Sequence, residues 1–510
     1  MTSRWIGSLA GTSAPISAPQ RFSLVGLQWA PTAGRAAIEL RTRRRDGAWS
    51  PWAMASALGH EPDSGGDPDL RFGQPVWSGP ADLVQLRSSA PVNGVRIHFV
   101  TPAVAPAEAR AAAGYPTATP VLDAGPGQPP IIARAAWAQG HAPPAFPPGY
   151  GAVKLAFVHH SETPNGYSPA DVPAMLRSIF VFHRFVRGWH DIGYNFAVDA
   201  FGRIWEARAG GIEQAVVGAQ AGGYNALSTG AVMLGSFMSA PPSSAALKAL
   251  ERLLAWKLSL HGVPAQGRVT VRVNPSDAYY TPFAPGQRVS LPRVAGHRDG
   301  DSTSCPGDAL YARLPAVRSA VAAQAGQPVR LTITASPPVM VAGGTVALAG
   351  RLATLTGRPV SGAPIELQRL GGGGALTVLV ATTAADGSWT AALTLTQNAV
   401  LGALHRSRPA SVAAPAFIAV TPAVTLTVDS TAPLQLSGSV SPAKRAVTVE
   451  LYAVSGGRRR LVRHKRVAVR QGQFVATLRR PKPGHYVARV VIEADAANAA
   501  GSSPDVPVIV

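Results

Sequence analysis

The only cysteine of this chain, Cys305, stands in the stretch Val294-Ala-Gly-His-Arg-Asp-Gly-Asp-Ser-Thr-Ser-Cys-Pro-Gly-Asp308, shortly after His297. A second source of imidazole, Val158-His159-His160-Ser161, follows directly on the apolar run from Val153 to Val158. Two imidazoles and one thiolate supply three ligands for zinc and leave a fourth position for water. That is the open coordination of a catalytic site, not the closed four-ligand set of a structural one. Residue type alone does not say which of His159 and His160 contributes. The pieces lie far apart in the chain, so the fold must assemble them, and strand ends with the loops after them are where α/β folds place reactive groups. A single cysteine also excludes an internal disulfide framework.

The elements around these residues read as a mixed α/β unit over 131–327. Val153 to Val158 fits a short buried strand. Ser168-Pro169-Ala170-Asp171 has a hydroxyl, then proline, then an acid, which predicts a helix start at Ser168. Val172, Met175, Leu176, Ile179 and His183 continue it at helical spacing. A second helix is predicted from Ser244 through Leu258, stopping at Gly262. Tyr194–Val198 and Arg203–Glu206 read as a hairpin. Gly267–Leu291 reads as a hairpin insert ahead of His297, a peripheral ornament by default and a groove wall as the alternative.

The flanks differ from this centre. Residues 1–100 alternate apolar and polar positions between Gly, Pro and Asp, as β structure does. Residues 101–130 are rich in Ala, Pro and Gly and read as a linker. Residues 328–510 return to β patterning with an internal repeat: Gly350-Arg-Leu352 and Asp386-Gly-Ser-Trp-Thr-Ala-Ala-Leu393 are echoed by Gly438-Ser-Val440 and Gln471-Gly-Gln-Phe-Val-Ala-Thr-Leu478. The expected architecture is multidomain, α/β plus all-β. A central mixed-sheet domain (131–327) is flanked by an N-terminal β-sandwich (1–100) and two immunoglobulin-like β-sandwiches, 328–421 and 422–510.

The central motifs occur in order: Arg134-Ala-Ala-Trp137, Phe157-Val-His-His-Ser161, Gly188-Trp-His-Asp-Ile-Gly-Tyr-Asn-Phe196, Gly202-Arg-Ile-Trp-Glu-Ala-Arg208, Val217-Gly-Ala-Gln-Ala-Gly-Gly-Tyr-Asn225, Gly296-His-Arg-Asp299 and Thr303-Ser-Cys-Pro-Gly-Asp308. In this order the segment from Ile131 to about Val317 resembles the zinc N-acetylmuramoyl-L-alanine amidases of the peptidoglycan recognition protein and type 2 amidase family. The resemblance implies hydrolysis of the amide joining the lactyl group of N-acetylmuramic acid to L-alanine in peptidoglycan. It implies Zn²⁺ held by His159, His297 and Cys305, with His160 behind the site. Tyr194 matches the tyrosine that polarises the substrate carbonyl, and Thr303 matches a position where relatives carry lysine or threonine. Gln220 stands where many relatives have a histidine bordering the substrate groove. No acid follows Ala231-Val-Met-Leu234, where a related branch supplies a glutamate base, so proton handling is expected to rest on zinc-bound hydroxide, Tyr194 and Thr303. The alternative is a peptidoglycan-binding module without hydrolysis; the presence of Cys305 argues for the enzyme.

Charge adds a second theme. The chain carries a net +20, of which 328–510 hold +12. The densest run is Arg458-Arg-Arg-Leu-Val-Arg-His-Lys-Arg466. It suits an anionic cell-wall polymer or a merely solvated strand face; nucleic acid is disfavoured because no aromatic stacking platform is interleaved. No apolar run is long enough for a spanning helix. The first residues make a poor signal peptide, yet the implied substrate places the protein outside the cell or at the wall.

Overall fold

The computed structural model describes residues 1–31, 37–55, 70–101, 127–140, 142–325, 328–371, 374–407, 409–430 and 433–510. Most of the 101–130 stretch read as a linker lies outside the described residues.

The N-terminal region is one six-stranded sheet of β1 (Thr2–Thr12), β2 (Ile16–Trp29), β3 (Ile38–Arg43), β4 (Ala53–Met54), β5 (Arg71–Phe72) and β6 (Val76–Val100). The long β6 turns through Gly79 and Gly94, both at positive φ, and β2 pairs with both of its ends. The sheet thereby curls around a core that includes Phe22, Val84, Leu86, Ile97 and Phe99, the inward half of the alternation visible in the sequence.

The central unit is a mixed sheet in the order β14-β8-β11-β9-β10-β7. Its strands are β7 (Ile131–Ile132), β8 (Leu155–His160), β9 (Phe196–Val198), β10 (Ile204–Glu206), β11 (Ser228–Met233) and β14 (Val294–Gly296). β12 (Arg268–Arg272) and β13 (Arg288–Pro292) form the separate hairpin expected of the insert. The helices are α1 (Ala135–Ala138), α2 (Val172–Val181), α3 (Ser244–Leu260), α4 (Asp308–Tyr311) and α5 (Leu314–Ala325). On one face, α3 and α5 bury Leu250, Leu253, Leu314 and Val317 against Ala156, Val158, Ala231 and Met233. On the other, α2 packs Met175, Leu176 and Ile179 against Val232, Leu234 and Ala197.

Helix ends show how local chemistry set these boundaries. α3 begins after Ser243, whose hydroxyl accepts from the Ala246 N–H, and ends before Gly262 at φ 63°. The predicted start of α2 at Ser168 is corrected. The Asp171 carboxylate accepts from both the N–H and the hydroxyl of Ser168. That closes residues 168–171 into a turn, and the helix starts only at Val172. α2 then passes into a π-helical turn, Phe182–Val186, which carries His183.

Residues 328–510 form two pairs of facing sheets. In the first, strand 345–354 pairs with 388–394; in the second, strand 434–441 pairs with 473–478. The sequence repeat has a packing cause. Gly350 lies opposite Trp389 and Gly438 opposite Phe474, and a Cβ on either glycine would come within 2.6–2.7 Å of that ring. A flat ring covering a bare backbone is the motif both sandwiches share.

Candidate metal centre

Strand pairing brings the two histidine sources together. β14 runs parallel to β8 with Gly296 opposite Val158. The next residue of each strand, His297 and His159, therefore emerges at the same edge, with ring centroids 4.5 Å apart. Alternation separates the adjacent histidines. Leu155 and Phe157 face the insert side, and His159 continues their row, whereas His160 continues the Ala156–Val158 row beneath α3. The loop after His297 folds back so that Arg298 N–H donates to the Cys305 carbonyl, and Cys305 Sγ comes within 3.7 Å of His159 Nδ1. One ligand atom from each of His159, His297 and Cys305 falls within 4.8 Å of the others.

Each imidazole is held from behind. Gln220 Oε1 lies 2.5 Å from His159 Nε2, which leaves Nδ1 facing Cys305. Asp301 Oδ2 lies 3.0 Å from His297 Nε2 and also accepts from the Gly222 N–H. Such outer partners fix tautomer and ring direction around a metal. Cys305 Sγ accepts a hydrogen bond from the His160 N–H at 3.4 Å. Two directed imidazole nitrogens and a thiol, converging with orienting partners already in place, fit a zinc ion.

Gln220, in the motif position where relatives carry a histidine, stands directly behind His159. It is fully buried, and its Nε2 donates to Ser228 Oγ. It fits because Gly230 has no side chain; a Cβ there would meet its Cδ at 2.7 Å. His160 is a supporting residue: its Nδ1 accepts from the Phe237 N–H and its Nε2 lies 3.4 Å from Glu162. Thr303 Oγ1 accepts the Cys305 N–H at 3.2 Å, so it shapes the loop that presents the thiol. Tyr194 is 1% exposed, with its ring 5.2 Å from that of His159.

Burial sets the electrostatics. It pulls His159 down to about 3, against the opposing pull of Gln220, so the ring is a neutral donor. Burial pushes the Cys305 thiol well up, opposed by the His160 N–H and helped by Glu162. A bare thiolate here is costly, and a dication would repay that cost. Burial also raises Tyr194, with Cys305 adding to it, which keeps the phenol a hydrogen-bond donor.

Sequence reasoning passed over two buried carboxylates. Glu162 sits at φ 54° just past β8, 1% exposed, and its field reaches both Tyr194 and Cys305. Asp301, raised by burial, supports His297. No acid follows β11, but Glu162 follows His159-His160-Ser161 at the end of β8. The insert is likewise no ornament. Tyr280 O accepts from the Ser302 N–H, and Thr281 Oγ1 donates to Gly300 O, so it braces the loop between His297 and Cys305. The family motifs outside the cluster are structural ties: Arg134 Nη2 donates to Asp191, and Trp137 Nε1 donates to the Glu206 carbonyl.

A family model described as N-acetylmuramoyl-L-alanine amidase matches residues 149–308. Another, described as Rv3811 N-terminal galactose-binding domain-like, matches residues 7–119, in keeping with the curled N-terminal sheet. Peptidoglycan-recognition protein LB of Drosophila melanogaster is 29% identical over 185 residues, covering 36% of this chain and 67% of that protein. Peptidoglycan-recognition protein SC2 of the same species is 30% identical over 159 residues, covering 31% of this chain and 71% of that protein. The solved structure of Drosophila PGRP-LB is 27% identical, covers 36% of this chain and 91% of its own, and aligns with a TM-score of 0.29. On the ordered motifs and these sequence matches, the chain belongs to the peptidoglycan recognition protein and type 2 amidase family.

Proposed function

We propose that the chain is a zinc-dependent N-acetylmuramoyl-L-alanine amidase, hydrolysing the lactyl amide of peptidoglycan at the wall, outside the cytoplasm. The observation that carries this reading is the convergence of His159, His297 and Cys305 within 4.8 Å, beside a buried tyrosine. When bound, zinc would activate a water near neutral pH and polarise the amide carbonyl. Tyr194 would donate its phenol proton as a hydrogen bond to the developing oxyanion. Gln220 and Asp301 would hold the two imidazoles in their tautomers, and Thr303 would hold the Cys305 loop. Glu162, whose field reaches Tyr194 and Cys305, would carry the proton bound for the leaving amine. The two C-terminal sandwiches are read as immunoglobulin-like wall-contact modules.

The test is mass spectrometry of peptidoglycan digests alongside metal analysis. One zinc per chain is expected, with intact stem peptide and lactyl-bearing glycan released together. Cys305→Ser should abolish release and lower zinc content, and Tyr194→Phe should lower turnover roughly 10- to 1000-fold with zinc retained. Binding to peptidoglycan without release of stem peptide would replace this reading with a recognition module.

A further inference from the structure

The N-terminal sheet does not stand apart from the metal centre. Leu24, Phe72, Trp77 and Val100 join Met175, Ile179 and Phe182 in one buried cluster. At the edge of this sheet, β5 runs along the site. Arg71 lies over the Tyr280 ring of the insert at 5.2 Å, and Phe72 lies under Arg187 at 3.9 Å. The strand is pinned to its own sheet: Trp29 pairs with Arg71, Gln28 with Phe72, and the Gly73 N–H donates to the Leu27 carbonyl. The residue that follows, Gln74, is thus delivered by well-anchored backbone.

Gln74 is 2% exposed, and its carboxamide faces the Tyr194 hydroxyl. Yet among the described residues neither Nε2 nor Oε1 completes a hydrogen bond of good geometry, the approach to Tyr194 included. Leaving a buried polar group in this state forfeits its hydration without a replacement partner. A carboxamide offers two donors and an acceptor. Its natural complement is another amide, which presents one C=O and one N–H. Muropeptides carry such groups on both sides of the lactyl bond, in the N-acetyl group and the stem peptide.

We infer that Gln74 is a substrate-contact residue lent to the amidase site by the N-terminal sheet, and that it pairs with an amide of the muropeptide beside the scissile bond. The inference rests on the peptidoglycan reading above. It makes the site composite: metal ligands and tyrosine come from the central unit, and an amide-reading group from the neighbouring one. In so buried a setting an amide–amide pair is worth more than at an exposed surface.

Stability and affinity should then move in opposite directions, which a structural role for Gln74 would not produce. The experiment compares the full-length protein with Gln74→Leu and Gln74→Glu. Muramyl dipeptide binding is measured on metal-stripped chains, and KM on solubilised peptidoglycan with zinc-loaded ones. Gln74→Leu, near in volume and free of unpaired polar atoms, should keep or raise the thermal midpoint and keep zinc content. It should weaken muramyl dipeptide binding and raise KM by about tenfold, with kcat changed far less. Gln74→Glu, which loses the donors, should also weaken binding. Unchanged Kd and KM in both variants overturn the inference and leave the hydrolase reading standing. Tighter binding or faster turnover also overturns it, making Gln74 a plug. A wild-type chain that neither binds muramyl dipeptide nor cleaves peptidoglycan overturns both.

Discussion

The N-terminal sheet and the last sandwich are both β structure outside the central unit, yet they relate to the site in opposite ways. The first gives four core side chains to the cluster under α2 and brings β5 against the insert that braces the metal-site loop. The second closes its core on its own residues, from Leu434 to Val508. Its ties run to the sandwich before it, through Asn498 Nδ2 to the Thr396 and Val420 carbonyls. That preceding sandwich is itself joined to the centre: Leu404 and Val412 enter the α3 core, and Arg406 pairs with Glu213. Charge runs the other way. The basic strand 458–468 lies at a sheet edge in the last sandwich, almost wholly exposed. Proximity in sequence or in charge is therefore no guide to which flank serves the site; buried shared surface is.

The largest effect that could break this contrast comes from two glycines. A Cβ on Gly26 would fall 1.9 Å from Phe182 Cε2, at the junction between the N-terminal sheet and the π-helical turn. One on Gly438 would fall 2.0 Å from the Thr425 carbonyl, wholly inside the last sandwich. Each alanine substitution should cost on the order of 1–3 kcal/mol by overpacking. Cys305, the single thiol and 1% exposed, reports on the site. In metal-stripped protein, Gly26→Ala should speed its labelling by a thiol reagent about tenfold, while Gly438→Ala leaves the rate alone. Equal rates in the two variants would mean the flanks are coupled to the site alike.

A smaller effect is set by pH. His98, on β6, is 7% exposed, lies 3.2 Å from Gln28 Oε1 and has its ring 6.5 Å from Phe182. Burial, then the nearby Arg96, pulls it from 6.5 to about 4. Between those values the unfolded chain binds the proton and the folded chain does not, so stability falls as pH drops through that window. The loss should reach roughly 1–3 kcal/mol by pH 4. It should be seen as acid-dependent undocking of the N-terminal sheet in hydrogen exchange, and His98→Gln should flatten it. An unchanged acid profile in that variant would place the pH sensitivity elsewhere.

How much of this was legible in the sequence depended on how locally each feature is encoded. The residues of the candidate metal cluster could be read because each lies in a short motif and ordinary strand pairing juxtaposes them. The Gly–aromatic repeat was readable for the same reason. The start of α2 was misplaced because Ser168 and Asp171 satisfy one another rather than the helix. The packing of Gln220 was not legible because it depends on a bare glycine on β11, a fact of register and not of composition. Gln74 was illegible: alternation in residues 1–100 reports which side chains face that sheet's own core, and says nothing about what the edge strand touches. The domain expectation had the same blind spot, since the separate cores of 1–100 and 328–421 are visible in the pattern and the surfaces they share with 131–327 are not.

The smallest effect concerns the basic strand. Arg458, Arg460, Arg463 and Lys465 are exposed on an edge whose unpaired backbone would otherwise invite another chain, and lysine and arginine commonly blunt such edges. That role needs no partner. A role in holding anionic wall polymer predicts something more: replacing these four with glutamine should reduce co-sedimentation with whole walls at low salt. The difference should shrink as ionic strength rises, because exposed charges are screened beyond about 10 Å at 0.1 M. Cleavage of a small soluble muropeptide should be unaffected, since among the described residues the last sandwich shares no core with the metal centre. If wall binding is unchanged but the variant self-associates, the charges guard the edge and the contrast with the N-terminal sheet becomes sharper still. If soluble cleavage falls as well, the last sandwich reaches the site by a route its buried contacts do not reveal, and the contrast fails.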